Sequence, residues 1–248
     1  MDSFSILTGV LPVIFRQLFE SDTSTYTYLL GCERSRRAFL IDPVACEVDA
    51  YIELLNEIGL TLIYTLETHV HADHITGSGL LRERLGSRSV VHRDAGTLCP
   101  DLLVTDGVLR QGGDIDILVR HTPGHTSGCT SYVLQDRVFT GDSLFIGGCG
   151  RTDFQQGDAG VLYDSIHEKL FTLPPDTLVY PGHDYNGNTV STIRQERHKN
   201  PRLGGGKTRE EFIAIMHDLQ LAHPKYIHEA IPANLACGGS TDTTPSPG

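Results

Sequence analysis

Four side chains that commonly bind metal ions lie within six residues of this 248-residue chain. They are His69, His71, Asp73 and His74, in the segment THVHADH. His69 and His71 are two positions apart, so on an extended backbone both side chains project to the same side. Asp73 and His74 are expected to enter the helix that follows. Imidazole and carboxylate groups are ligands for zinc, iron and related ions, so the segment predicts a metal centre.

Three more candidate ligands each follow a short β-rich run and stand beside a glycine. His125 is in TPGHTSG, Asp142 is in FTGDS and His183 is in YPGHD. Glycine lets the backbone bend sharply, which brings the next side chain to the edge of a sheet. One such residue alone is most often an ordinary loop residue. Together with the histidine-rich segment they indicate a single metal site.

The elements that must position these residues follow from the apolar pattern of the chain. Periodicity and β-branched or aromatic content predict strands at Thr25–Leu30, Ala38–Ile41, Thr61–Glu67, Ser89–His92, Ile115–Arg120, Thr130–Gln135, Val138–Thr140 and Thr177–Tyr180. Helical spacing predicts helices at Glu47–Ile58, Ile75–Leu85, Ala159–Phe171, Thr189–His198 and Arg209–Leu219. This order predicts an α/β protein in which two sheets pack together with helices outside them.

The limits of the domain and its surroundings are also expectations from sequence. We expect one domain over residues 1–236, with a loop-and-helix segment at its end, and a disordered Gly/Ser/Thr/Pro-rich tail over 237–248. No apolar run is long enough to span a membrane. The N-terminal residues lack the basic residues of a signal or transit peptide. We therefore expect a cytoplasmic protein, or a mitochondrial matrix protein from which a targeting segment has been removed.

Charge and cysteine content exclude some classes of protein. Twenty basic and thirty-one acidic residues give a net charge of −11, which argues against binding to nucleic acid. The six cysteines include no CxxC pair, so neither a zinc ribbon nor a small disulfide scaffold is indicated. We expect reduced, mostly buried thiols, with Cys149 and Cys237 inert.

The order HxHxDH, a GHT turn, GD after a strand and a later GHD turn resembles the metallo-β-lactamase superfamily. The resemblance implies an αββα four-layer sandwich with the metal site at one edge of the two sheets. In hydrolases of this superfamily, one metal would take His69, His71 and His125. A second metal would take Asp73, His74 and His183, and Asp142 would bridge the two.

The same residues also allow a site with one metal. Two histidines and one carboxylate, His69, His125 and Asp142, are the ligand set of non-haem Fe(II) oxygenases and leave three positions open. His71, Asp73, His74 and His183 would then orient the ligands and bound water. Ligand counting alone does not separate the two sites.

Sequence outside the ligands resembles one branch of the superfamily. The run GCGRTDFQQG after Asp142, together with ITGSG, Tyr185, TVST, NPR and IPAN, is similar to the persulfide dioxygenases. That resemblance implies one Fe(II) per chain, held by His69, His125 and Asp142. It also implies oxidation of glutathione persulfide by O₂ and water to sulfite and glutathione.

The resemblance also suggests substrate-binding residues and partners. Arg151 could bind a glutathione carboxylate through its planar fork, or could clamp its own loop to Asp153. Asp153 and Tyr185 are further candidates for the substrate site, and a homodimer is possible. The alternative enzyme is a dinuclear glutathione thioester hydrolase resembling glyoxalase II. A nuclease of the same fold is disfavoured by the negative charge.

Overall fold

Two six-stranded sheets form the centre of the molecule. The computed structural model describes residues 13–109, 115–222 and 226–238. The first sheet has the order β1-β2-β3-β4-β5-β6, made of Val13–Glu20, Thr25–Cys32, Arg37–Ile41, Thr61–Leu66, Arg88–His92 and Leu102–Val104. The second has the order β12-β11-β10-β9-β8-β7, in which β7 to β12 are Gly107–Leu109, Ile117–His121, Thr130–Leu134, Arg137–Gly141, Leu178–Pro181 and Ser191–Thr192.

Helices cover the outer face of each sheet. The helices α1 to α6 are Val48–Glu57, Ser78–Leu85, Ala159–Ser165, Ile193–Lys199, Arg209–His217 and Ile227–Leu235. A π-helical turn, Ile166–Leu170, continues α3. The predicted αββα sandwich is confirmed. Within the described residues, no helix has both the length and the apolar character needed to cross a membrane.

The alternation of side chains along β2 shows how the layers are held together. Tyr28 and Leu30 point into the core between the sheets, where they join Phe39, Tyr132 and Phe139. Leu29 points the other way, into a second cluster formed with α1 and α2. Both faces of the strand are therefore buried, which explains why β2 is apolar on both faces.

The second sheet is covered in the same way on its outer face. Val138 and Val179 pack against Leu162 of α3, Ile193 of α4 and Phe212 of α5. The predicted strands and helices are present, with ends that shift by a few residues. The sequence analysis did not predict α6, nor β1, β6, β7 or β12, which lie at sheet edges. The predicted helix Thr189–His198 is wrong at its start, because Ser191–Thr192 form β12 and α4 begins at Ile193.

The expectation that Asp73 and His74 enter a helix is wrong, because α2 begins only at Ser78. The backbone groups just before α2 form hydrogen bonds with the segment after β3 instead of with the helix. Ala45 N–H donates to Ile75 O (2.9 Å), and Gly77 N–H donates to Pro43 O (2.6 Å). Asp73 and His74 therefore lie in a loop.

The expectation that all cysteines are reduced is also wrong. Cys99 and Cys237 form a disulfide, with their Cα atoms 6.0 Å apart. The two are 138 residues apart in sequence, so only the packing of the chain end beside the loop after β5 brings them together. Cys237 is buried, and its partner Cys99 is half-buried. Cys237 and Gly238, assigned above to the tail, thus pack on the domain, and residues 239–248 lie outside the described residues.

Candidate metal centre

The candidate ligands meet at one edge of the sandwich, in loops that follow four strands. His69, His71, Asp73 and His74 follow β4, whereas His125, Asp142 and His183 follow β8, β10 and β11 respectively. Backbone hydrogen bonds join the two sheets at this edge. Thr130 N–H donates to Thr68 O (2.7 Å), and Tyr26 N–H donates to Gly182 O (2.8 Å).

Three side chains form a compact group with their ligand atoms directed at one another. The ligand atoms of His69, His125 and Asp142 all lie within 4.8 Å of one another. Asp142 Oδ2 is 3.5 Å from His125 Nε2 and 4.0 Å from His69 Nε2. The second distance is too long for a hydrogen bond, and the first is at the limit. Such spacing suits three ligands around a common ion.

The other ring nitrogen of each histidine in this group has a fixed partner. His125 Nδ1–H donates to Arg151 O at 2.6 Å. His69 Nδ1 is 3.0 Å from Thr68 Oγ1, and that hydroxyl donates to Asp42 Oδ2 at 2.7 Å. These contacts hold the proton on Nδ1 and leave the Nε2 lone pair free for a metal. Burial and the neighbouring imidazoles of His71 and His125 lower the pKa of His69 well below its usual value, which favours the neutral ligand.

Gly141 allows Thr68 to reach this position. Its φ is +50°, and a Cβ added there would lie 2.3 Å from Thr68 Oγ1. A side chain at this position would displace the hydroxyl that connects His69 with Asp42. The sequence analysis assigned this glycine to a sharp bend of the backbone before Asp142. It is also required because a side chain at this position would overlap with Thr68.

A second group lies beside the first. His71, Asp73 and His74 also have ligand atoms within 4.8 Å of one another. His74 Nδ1 is 2.8 Å from Asp73 Oδ2. His183 Nε2 lies 3.5 Å from both Asp73 Oδ2 and Asp142 Oδ1. Burial by itself would lower the pKa of His183, but the charges of Asp142 and Asp73 outweigh it and raise that pKa.

His71 is held by two buried carboxylates that the sequence analysis missed. Its Nε2 is 3.2 Å from Asp42 Oδ1 and 3.3 Å from Glu67 Oε2. Burial opposes the charged imidazole, yet Asp42 and Glu67 raise the pKa of His71 well above its usual value. Glu67 in turn accepts from Thr76 Oγ1 (2.6 Å) and from Ser78 Oγ. No sequence motif identified either carboxylate, because each lies at the end of a strand outside the histidine-rich segment.

Unpaired buried atoms indicate that the site is built to hold metal. Asp142 Oδ1, His71 Nδ1 and His74 Nε2 are all buried without a hydrogen-bond partner among the described residues. Buried polar atoms are nearly always paired, so such orphans need an explanation. A metal ion bound by Asp142 would explain one of these atoms, and a second ion beside His71 and His74 would explain the other two. Histidine and carboxylate donors suit iron or zinc.

The run GCGRTDFQQG supports the site in two ways. Its Arg151 carbonyl orients His125, as described above. Gln155 Nε2 donates to Val70 O at 2.7 Å, between His69 and His71. Gln155 and Gln156 have φ values of +47° and +59°, a conformation that is strained for residues other than glycine.

The guanidinium of Arg151 is hydrogen-bonded to its own loop and to the segment after α5. Nε and Nη2 donate to the two Asp153 oxygens at 2.7 and 2.8 Å, and Nη1 donates to Ala222 O at 2.6 Å. These contacts form the clamp to Asp153 that the sequence analysis gave as the alternative, and a role of Arg151 or Asp153 in substrate binding stays a prediction. Tyr185 is 70% exposed and stacks on His183, with ring centroids 6.0 Å apart. Its role in substrate binding stays a prediction.

Asn234 was noticed only as part of the IPAN resemblance, with no role assigned. Its buried side chain hydrogen-bonds three backbone groups of the histidine-rich loop. The IPAN motif was visible in the sequence. The hydrogen bonds of Asn234, however, join residues about 160 positions apart, so they could not be inferred from spacing.

Comparison with known proteins places the chain in a family. The model of the metallo-beta-lactamase superfamily matches residues 21–183. The mitochondrial persulfide dioxygenase ETHE1 of Homo sapiens is 52% identical over 235 residues, which cover 94% of this chain and 91% of that protein. The crystal structure of ETHE1 from Myxococcus xanthus is 54% identical, with a TM-score of 0.89, and the match covers 91% of this chain and all of that one.

A hydroxyacylglutathione hydrolase from a Polaromonas species is more distant. It is 33% identical over 172 residues, covering 66% of this chain and 64% of that protein. The fold, the site and these similarities agree: the chain belongs to the metallo-β-lactamase superfamily and, within it, to the persulfide dioxygenase family.

Proposed function

We propose that this protein oxidises glutathione persulfide at a single Fe(II) ion. In the balanced reaction, glutathione persulfide, O₂ and water give glutathione, sulfite and two protons. The terminal sulfur loses four electrons to O₂ and gains three oxygen atoms, and its bond to the glutathione sulfur breaks. The observation that carries the proposal is the compact group of His69, His125 and Asp142 in a chain 52% identical to a persulfide dioxygenase.

In this proposal His69, His125 and Asp142 are the three protein ligands. A ferrous ion held by two imidazoles and one carboxylate has open positions where O₂ and a persulfide sulfur can be brought together. The protein holds the ligands rigid through Arg151 O behind His125 and Thr68 behind His69. This positioning lowers the entropic cost of bringing the two reactants together.

The remaining polar residues would orient the site without binding the ion. His71, whose Nε2 faces Asp42 and Glu67, would be held in place by these two carboxylates. His183 Nε2 lies 3.5 Å from both Asp142 Oδ1 and Asp73 Oδ2 and would help to orient these carboxylates. We propose that the exposed ring of Tyr185 contacts the glutathione part of the substrate at the mouth.

A dinuclear thioester hydrolase is the second candidate. The unpaired His71 Nδ1 and His74 Nε2 favour it, because both atoms could bind a second metal beside Asp73. The Polaromonas hydrolase is the relative that supports this alternative.

The first experiment measures turnover and metal content together. Protein loaded with Fe(II) under anaerobic conditions is mixed with glutathione persulfide and O₂, and oxygen uptake and sulfite are measured. We expect matched uptake and sulfite, with one iron per chain. No uptake by the iron-loaded protein, with hydrolysis of a glutathione thioester instead, would refute the dioxygenase.

Variants then separate the one-metal site from the two-metal site. His69→Ala, His125→Ala and Asp142→Ala are each expected to abolish iron retention, whereas His74→Ala retains most of it. His217→Ala is the matched control, because this histidine is exposed on α5. Loss of iron from His74→Ala would indicate a dinuclear centre instead.

The expected partners and compartment belong to the same proposal. O₂ is the second substrate, and a homodimer is expected by light scattering. The human relative is named as mitochondrial, and fractionation of the source cell would locate this chain.

A further inference from the structure

The end of α6 packs directly on the histidine-rich loop. Asn234 Nδ2 donates to His71 O at 2.9 Å and to His74 O at 2.8 Å, and Asn234 Oδ1 accepts from Thr76 N–H at 2.8 Å. The side chain is only 4% exposed. Both amide protons and the carbonyl oxygen are therefore used, and all three partners belong to one loop.

These three backbone groups define the shape of that loop. Residues 71–76 form neither a helix nor a strand, so the loop cannot pair its own carbonyls as regular structure does. Asn234 supplies the missing partners on both sides of Asp73 and His74. The position of the loop, which begins two residues after His69, thus depends on a side chain from the other end of the chain.

Asn234 is itself anchored a few residues away. The Cys99–Cys237 disulfide ties the segment after α6 to the loop after β5. Leu98 N–H donates to Leu235 O at 2.9 Å. A Cβ added at Gly238 would lie 2.3 Å from Thr76 O, so the chain after Cys237 passes tightly against the same loop. His69, His71, Thr76, Asn234 and Cys237 line one cavity.

We propose that Asn234 is a positioning residue for the metal site and that the disulfide holds it in place. The inference rests on the proposed function only in assuming that the site binds a metal ion. A small thiol such as glutathione would attack the half-buried Cys99 sulfur, forming a mixed disulfide and releasing the Cys237 thiol. A second molecule of the small thiol would then attack this mixed disulfide. The Cys99 thiol is released, and the two small thiols leave joined as their own disulfide. Metal retention therefore responds to the thiol pool.

The first test replaces only the amide donor. Asn234→Asp keeps the size of the side chain and the acceptor for Thr76, but it turns a carboxylate oxygen toward His71 O and His74 O. Release of bound Fe(II) to a chromogenic chelator is expected to be about 10- to 100-fold faster than from wild type, because replacing a residue that orients a metal site weakens metal affinity by about that factor. Asn56→Asp, on an exposed position of α1, makes the same charge change and should release iron at the wild-type rate.

A spectroscopic measurement separates positioning from general destabilisation. Co(II) bound in place of iron reports ligand geometry through its visible absorption bands. We expect Asn234→Asp to shift these bands at temperatures well below its unfolding midpoint, which a purely structural role would leave unchanged. Unchanged bands and wild-type iron release would overturn the proposal.

The second test addresses the disulfide and begins with chemical reduction of the wild-type protein. Wild-type protein reduced with a phosphine is expected to release Fe(II) at least several-fold faster than the oxidised protein. Cys99→Ser should release iron at the reduced rate with or without the reductant. Equal release from oxidised and reduced wild type would refute the anchoring role. None of these readouts uses persulfide turnover, so they stand even if the proposed activity fails.

Discussion

Replacing Asp42 with asparagine tests the network behind the metal ligands. Asp42 is buried and accepts hydrogen bonds from Thr68 N–H (2.7 Å), Thr68 Oγ1–H (2.7 Å) and His71 Nε2 (3.2 Å). Its φ is +50°, which asparagine adopts readily, so the exchange adds no backbone strain. The variant therefore changes charge and one hydrogen-bonding atom while the shape stays the same.

The expected cost follows from the contacts that the Asp42→Asn variant cannot make. The amide oxygen of its new side chain can still accept from Thr68 N–H and His71, but the amide nitrogen then faces the Thr68 hydroxyl, whose proton loses its acceptor. An unmade buried hydrogen bond costs about 1–3 kcal/mol, and loss of the charge on the bond to His71 costs about 1.5–3 kcal/mol. We expect the free energy of unfolding to fall by about 3–5 kcal/mol, which corresponds to a melting temperature roughly 6–20 °C lower.

The assay is thermal unfolding of the protein in the presence of a strong chelator, so that metal affinity does not enter the result. Asp49→Asn is the matched control, because Asp49 is an exposed side chain of α1 paired with Arg84. Exposed ion pairs contribute about 1 kcal/mol or less, so this control should melt near the wild type. If Asp42→Asn also melts within about 2 °C of wild type, His71 is not held as an imidazolium and the reasoning fails.

Three further outcomes are expected. Gly141→Ala should lower the free energy of unfolding by several kcal/mol and release metal faster, because the added Cβ would lie 2.3 Å from Thr68 Oγ1. A melting temperature and a metal release rate equal to those of wild type would contradict this. Burial lowers the pKa of His92 to about 4 in the folded protein, from about 6.5 in the unfolded chain. The neutral imidazole therefore contributes its full stabilisation above about pH 6.5, and this contribution is lost as the pH falls toward 4. Wild type should therefore lose about 2 kcal/mol more than His92→Asn between pH 7 and 5, and parallel unfolding curves would contradict this. A thiol reagent should label one cysteine per native chain, Cys46, because the other free cysteines are buried; mass spectrometry of the labelled peptide checks it.

The sequence predicted the fold and the candidate ligands because these depend on local patterns. Buried strands are marked by their apolar residues, and each ligand follows a strand and stands beside a glycine or another ligand. The boundary of α2 was predicted too early because its first turn is replaced by backbone bonds to Pro43 and Ala45, which no local pattern reveals.

Residues that act across long sequence distances could not be predicted. Asp42 and Glu67 are ordinary acidic residues until the fold brings them to His71. The partner of Cys237 lies 138 residues away, so spacing alone could not pair the two. The pair of Arg151 and Asp153, by contrast, joins residues two positions apart, and the sequence analysis included it as one of two roles for Arg151.

The two sheets are made from consecutive halves of the chain, with residues 13–104 in the first and 107–192 in the second. His69 comes from the first half, and His125 and Asp142 come from the second. Neither half alone can present the three ligands, so the complete ion site exists only once the halves have docked. By mass action the ion stabilises that docked state and no earlier intermediate. Removal of the ion is therefore expected to make separation of the two sheets easier.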